Sequence, residues 1–156
     1  MFYEDLSSCS YFSHFCEPGE KLKAVGWLGF GHPHTQRRTR TPELRFRQLV
    51  KLLQRPWEPC HFMGYHDCEF CPEETRELNG MGRIECGGYV SHFGIHNLFV
   101  PGENCVYVAP SMILHYIDVH DYEPPEVFWE AVMNCPEMGT EAYRQALAAN
   151  LTFSHQ

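Results

Sequence analysis

No stretch of this chain approaches the ~20 consecutive apolar residues that a membrane-spanning helix needs, so no bilayer anchor is expected. The first ten residues, MFYEDLSSCS, hold two acids and no base, unlike a secretory signal. That reading places the protein in the cytoplasm with its thiols reduced. Positive charge is also scarce. Twelve Lys and Arg stand against twenty Asp and Glu, a net charge of −8, which disfavours DNA as a partner because phosphate contacts need a broad basic surface. The G-x-x-x-x-G-K-[ST], G-x-G-x-x-G and G-x-S-x-G patterns are missing, and with them the usual support for nucleotide binding or an α/β-hydrolase. H-E-x-x-H is absent, and so is the H-x-E with P-C-x-x-C pattern of the zinc deaminases. There is no internal repeat and no low-complexity tract.

What remains is a chain of 156 residues, the size of one domain, with 14% aromatics, enough to fill a core without help from a metal. A single domain over 1–156 is expected, its ends at 1–20 and 152–156 the most loosely held. Eight cysteines in a chain without an export signal point to metal ligation over a disulfide framework.

Local pattern predicts an α+β fold: a short antiparallel sheet packed against helices. LKAVGWLGF, 22–30, reads as a buried strand. Thr41-Pro42 reads as a cap and first residue of a helix that places Phe46, Leu49, Val50 and Leu53 inward and ends at Pro56. Two hairpins follow, GRIEC and GYVSHF around Gly87-Gly88, then NLFV and CVYV around PGEN. Three helices close the chain. They start at Pro110-Ser111, at Pro124-Pro125 with Phe128, Trp129 and Val132 inward, and at Gly139-Thr140 with Tyr143, Ala146, Leu147 and Leu151 inward.

Two spacings carry chemistry. Cys68 and Cys71 in HDCEFC form a C-x2-C knuckle, in which both sulfurs can converge on one ion while backbone N–H groups point at the thiolates. His115 and His120 in LHYIDVH form an H-x4-H pair. Two thiolates and two imidazoles suit a four-coordinate tetrahedral zinc ion. On an ideal helix five residues correspond to about 140° of rotation, so the two histidines can share an ion only if the helix ends near His120. Asp121 and Pro124-Pro125 make that ending expected. Cys60, His61 and His66 lie close before the knuckle, and Cys60 or His66 could replace a distant histidine; a competing set is His66, Cys68, Cys71 and one distant histidine. His32 and His34 in GHPHT are another pair, read as solvated.

The knuckle, hairpin and His-bearing helix resemble the order of two-Cys, two-His zinc fingers and treble-clef-like sites. The resemblance covers the four ligands and the element order alone. Forty-three residues separate Cys71 from His115, where the finger has about a dozen. The stretch VYVAPSMILHYIDVHDYEPPEVF, with H-x-C-x2-C upstream, also resembles a group of small bacterial proteins without an assigned activity. That likeness implies one domain containing both halves of the site and implies no catalytic residue.

Three functions fit. The first is a structural zinc site in a domain that binds another protein. The segment 32–56 holds seven of the twelve Lys and Arg against the single acid Glu43, so it is +6 and the remainder −14. Its helical face of Arg47, Lys51 and Arg55, with Arg37, Arg38 and Arg40 upstream, would meet an anionic ligand or an acidic partner. The second is a zinc hydrolase with an open metal position and Glu69 or Asp118 as base. The third is an acidic inhibitor or immunity-type protein. A cysteine nucleophile, Cys86 or Cys105 with His92 or His96, is a weaker reading, since strand cysteines are mostly small core residues.

Overall fold

The computed structural model describes residues 1–17, 21–60, 64–75 and 82–153. Seven short strands and four helices alternate in the order β1 (Cys16–Glu17), β2 (Leu22–Ala24), α1 (Glu43–Gln54), β3 (Gly82–Cys86), β4 (Tyr89–Phe93), β5 (Asn97–Pro101), β6 (Val106–Pro110), α2 (Ile113–Val119), α3 (Glu126–Asn134), α4 (Glu141–Ala148) and β7 (Thr152–Phe153). The class is α+β, as expected.

Both hairpins form. At the β3–β4 turn Gly87 and Gly88 take φ of 59° and 86°, the left-handed conformation that a tight two-residue hairpin demands at both positions. β5 and β6 pair antiparallel from Asn97 opposite Pro110 to Pro101 opposite Val106. The central sheet is not purely antiparallel, however. Its order is β2-β6-β5, and β2 runs parallel to β6, with Leu22 opposite Val106. The long span between β2 and β6 allows the crossover that a parallel pair requires. The strand expected over 22–30, β2, is also shorter than that. It stops at Ala24 because Gly26 has φ of 74° and lies against Ile113, where a Cβ would stand 2.8 Å from that side chain. The remainder of the stretch still buries Val25, Trp27 and Leu28, and the Trp27 indole N–H donates to the Val108 carbonyl at 2.9 Å.

Helix α1 buries Leu49, Val50, Leu52 and Leu53, with Phe46 half-buried, and packs across β3 and β4. Thr41 is not its cap. Pro42 holds that position without a side-chain bond, and the buried Thr41 hydroxyl instead accepts from Arg37 at 3.4 Å. Helix α2 starts at Ile113, later than Pro110-Ser111, because Pro110 is the last residue of β6. Ser111 is then claimed by the loop before β5, its Oγ accepting the N–H groups of Gly94, Ile95 and His96 at 3.0, 3.3 and 3.1 Å. Helices α3 and α4 bury Phe128, Trp129, Val132, Tyr143 and Leu147 as their spacing predicts, and Thr140 caps α4 by accepting from the Tyr143 N–H. The first seventeen residues add Cys9 and Phe12 to the core. No helix among the described residues is long and apolar enough to cross a membrane.

Candidate metal centre

The knuckle lies in chain without helix or strand, just before the short 3-10 turn Glu73–Thr75. Helix α2 supplies the other two donors, His115 from within it and His120 from its C-cap. The five-residue spacing works because the helix ends there. His120 leaves helical geometry at φ −112° and ψ 14°, and Asp121 turns the chain with φ of 54°. The N–H groups of His120 and Tyr122 both donate to the Tyr116 carbonyl at 3.1 Å. Arg37 fixes this turn from outside. Its guanidinium meets the Asp121 carboxylate at 2.8 Å and its N–H donates to the Asp121 carbonyl at 2.8 Å.

One ligand atom from each of Cys68, Cys71, His115 and His120 lies within 4.8 Å of all the others. Cys68 Sγ is 3.2 Å from His120 Nε2, and Cys71 Sγ is 3.3 Å from Nε2 of both His115 and His120. With metal–sulfur near 2.3 Å and metal–nitrogen near 2.0–2.1 Å, a tetrahedral ion would set S and N about 3.5 Å apart. The spacing fits such an ion. The four side chains can hold a metal.

Their surroundings suit the same task. Phe70, between the two cysteines, packs on His120 with ring centroids 5.5 Å apart, and Phe93 of β4 packs on His115 at 5.0 Å. Burial pushes the Cys68 thiol up to about 11, and the backbone N–H groups of Phe70 and Cys71 pull against it by donating to the sulfur. Those amides are the knuckle geometry expected of a thiolate ligand. Burial also holds His115 below the ordinary imidazole range, helped by His120, and holds His120 below it, helped by His34. Metal ligation requires the neutral ring, so the environment favours the ligating form of both.

The other candidates separate from this group. Cys60 and His66 are outside it, and His61 lies outside the described residues. Glu69 directs Oε2 at the Phe30 N–H, which donates to it at 2.9 Å, and Asp118 is exposed on α2. His32 stacks on Phe2 at 3.9 Å, and His34 sits edge-on to Phe70 at 5.5 Å instead of standing in solvent. No hydrogen bond among the described residues joins Cys86 or Cys105 to His92 or His96. His96 Nδ1 meets Glu58 at 2.6 Å.

Sequence reasoning missed the groups that brace the site. Phe70 was legible in principle, being enclosed by the two cysteines. Asp5 was not. Its carboxylate accepts from the buried Tyr122 hydroxyl at 2.9 and 2.8 Å and from the Gly26 N–H at 3.0 Å, tying the N-terminal segment to a residue two past His120. Burial keeps that carboxyl above its usual range, the bonds from Gly26 and Tyr122 opposing the shift.

Residues 1–133 match a protein family described as a domain of unknown function, DUF7919, and the chain belongs to that family. The matched span contains all four donors and stops within α3. No curated protein and no solved structure matches the chain.

Proposed function

We propose that this domain carries one structural zinc ion on Cys68, Cys71, His115 and His120, and that its task is to bind another protein. The convergence of four protein donors supports this. A catalytic zinc keeps one position for water, whereas two sulfurs and two imidazoles close a tetrahedron. Zinc is the ion that an S2N2 tetrahedral set favours. Of the two bases named for the hydrolase reading, Glu69 already accepts from the Phe30 N–H, and Asp118 is exposed on α2 outside the group of four donors.

The binding role draws on the surface around the knuckle. Phe30 is 73% exposed, yet its N–H is held by Glu69 and its ring lies 6.4 Å from that of Phe70. An aromatic side chain held in water beside a rigid site is the kind of anchor that interfaces use. The basic segment is a less free surface than its sequence implies. Arg37 is paired with Asp121 and Arg45 with Glu126.

Metal analysis of the purified chain should find one zinc per monomer, and none in a Cys68→Ser, Cys71→Ser double variant. Cobalt substitution should give a tetrahedral spectrum that added azide leaves unchanged. A spectrum that shifts with azide means an open position and overturns the structural reading. Phe30→Ser should keep zinc and melting temperature while losing a partner that the wild type retains. Unchanged partner capture would remove Phe30 from the interface.

A further inference from the structure

A second concavity shares no residue with the metal group. A cavity of about 520 Å³ opens between the C-terminal half of α1, the chain after it, β4 and the loop joining α3 to α4. Small-molecule sites commonly measure about 300–1,000 Å³. Its walls are of two kinds. Leu52, Trp57 and Met138 give an apolar side, while Lys51 and Arg55, one helical turn apart, give a cationic one.

Arg37, Arg45, Arg83 and Arg144 each meet a carboxylate. Neither Lys51 nor Arg55 is held by one, as is true also of Lys21, Lys23, Arg38, Arg40 and Arg47 among the described residues; what sets Lys51 and Arg55 apart is that both line the cavity. Glu137, the carboxylate in the cavity wall, pairs with neither. The Lys51 ammonium instead lies 5.6 Å from the centroid of the Tyr89 ring. Arg47, the third member of the basic face, is not part of the cavity. Its stem crosses the β3–β4 turn, so close that a Cβ on Gly87 would stand 2.1 Å from Arg47 Cδ.

We propose that this cavity binds a small organic anion, a carboxylate or phosphate carried on a flat apolar body such as an aromatic ring. The anionic group would sit at Lys51 and Arg55, relieving the repulsion between two like charges one turn apart. The ring would cover Trp57, Leu52 and Met138, which a bare inorganic ion cannot do. Cations at a helix C-terminus also favour the helix dipole. That role alone gives a small stability effect and no ligand response.

The zinc-loaded full chain, isotope-labelled, is titrated with phenyl phosphate, benzoate, inorganic phosphate and benzyl alcohol at millimolar concentrations. Phenyl phosphate or benzoate should shift amides around 48–57, 89 and 135–139 saturably and raise the melting temperature; which of the two binds tighter identifies the anionic group. Inorganic phosphate and benzyl alcohol should bind at least roughly tenfold more weakly, since each lacks one half of the interaction. Lys51→Met and Arg55→Gln should each weaken binding by roughly tenfold, the worth of a charge-assisted hydrogen bond, without moving the unliganded melting temperature appreciably. No shift with any probe overturns the proposal. So does equal response to phenyl phosphate and inorganic phosphate, or binding retained by the K51M/R55Q double variant. Preferential binding of an acidic peptide, with shifts spread beyond the cavity, would make this a protein-docking face and overturn it too.

Discussion

Residues 55–75 and residues 97–117 are equal lengths of chain held in opposite ways. In the second, β5, β6 and most of α2 bury Leu98 to Val100, Val106 to Leu114, Tyr116 and Ile117. In the first, the described residues form one 3-10 turn, and Cys68 alone is buried. Apolar area removed from water supplies the free energy for the sheet. The knuckle has little such area, and what it offers instead is two sulfurs and two amides aimed at one of them. On the zinc reading, metal chemistry would stand in for packing where packing is thin, and the two regions should fail separately.

The largest expected effect comes from the packed region. Phe99 is fully buried, with Phe12 at 5.0 Å and Trp57 at 5.6 Å between ring centroids. Phe99→Ala should cost about 3–5 kcal/mol in urea unfolding, a large part of a typical domain's total. Whatever fraction stays folded should still bind one zinc. Loss of zinc from the folded fraction would show that the regions are not separable.

Cys71→Ser tests the other side. A cross-link closing a loop of this length, with Cys71 and His115 44 positions apart, is worth on the order of 4 kcal/mol in the chain-entropy account. The loss should be confined. Amide exchange should rise in 55–60, 64–75 and 113–122 and stay low in α1 and α4. Uniform exchange throughout the described chain would mean that the metal organises the whole fold and would erase the contrast.

Ser111 sits at the seam of the two regions, its one oxygen taking three N–H groups from the loop that also gives the Gly94 carbonyl to the His66 N–H. Ser111→Ala should destabilise by about 1–3 kcal/mol through buried donors left unpaired. Metal affinity should fall less than for Cys71→Ser, as competition with a chromophoric chelator would measure.

Smaller again is a pH effect in the metal-free protein. His115 and His120 are both held below the ordinary value of 6.5, so near and below that pH the unfolded chain takes protons that the folded site refuses. Stability should be full above about pH 6.5 and decline as pH falls toward the folded-state values. Cys68, pushed up to about 11, stays protonated across this window and contributes nothing to the slope. His120→Gln should flatten the decline of the urea midpoint between neutral and mildly acid pH. An unchanged slope would mean that other groups set it.

Local signals were readable in the sequence, and non-local ones were not. Gly87-Gly88 fixes a turn with two residues, and Phe128, Trp129 and Val132 declare a helix face by spacing alone. C-x2-C and H-x4-H named four side chains that the structure brings within 4.8 Å of one another, because metal chemistry restricts both residue type and separation. The parallel pairing of β2 with β6 joins Leu22 to Val106 across more than eighty residues, and no local pattern encodes such a register. The same holds for Asp5 and Tyr122, and for a cavity whose walls come from three separate segments. Thr41 failed for a different reason. Its type suits a cap, but Pro42 takes that position and the hydroxyl accepts from Arg37, four residues upstream.

The order of donors along the chain also has a consequence in time. Both cysteines precede both histidines, and 49 positions separate Cys71 from His120. During synthesis at about 5–20 residues per second, the thiols are therefore made roughly 2–10 s before the last imidazole exists. Both hairpins lie within that interval and can form from local contacts alone. A metal held by all four would thus act as a late checkpoint for the nascent chain, closing only after the middle has been made.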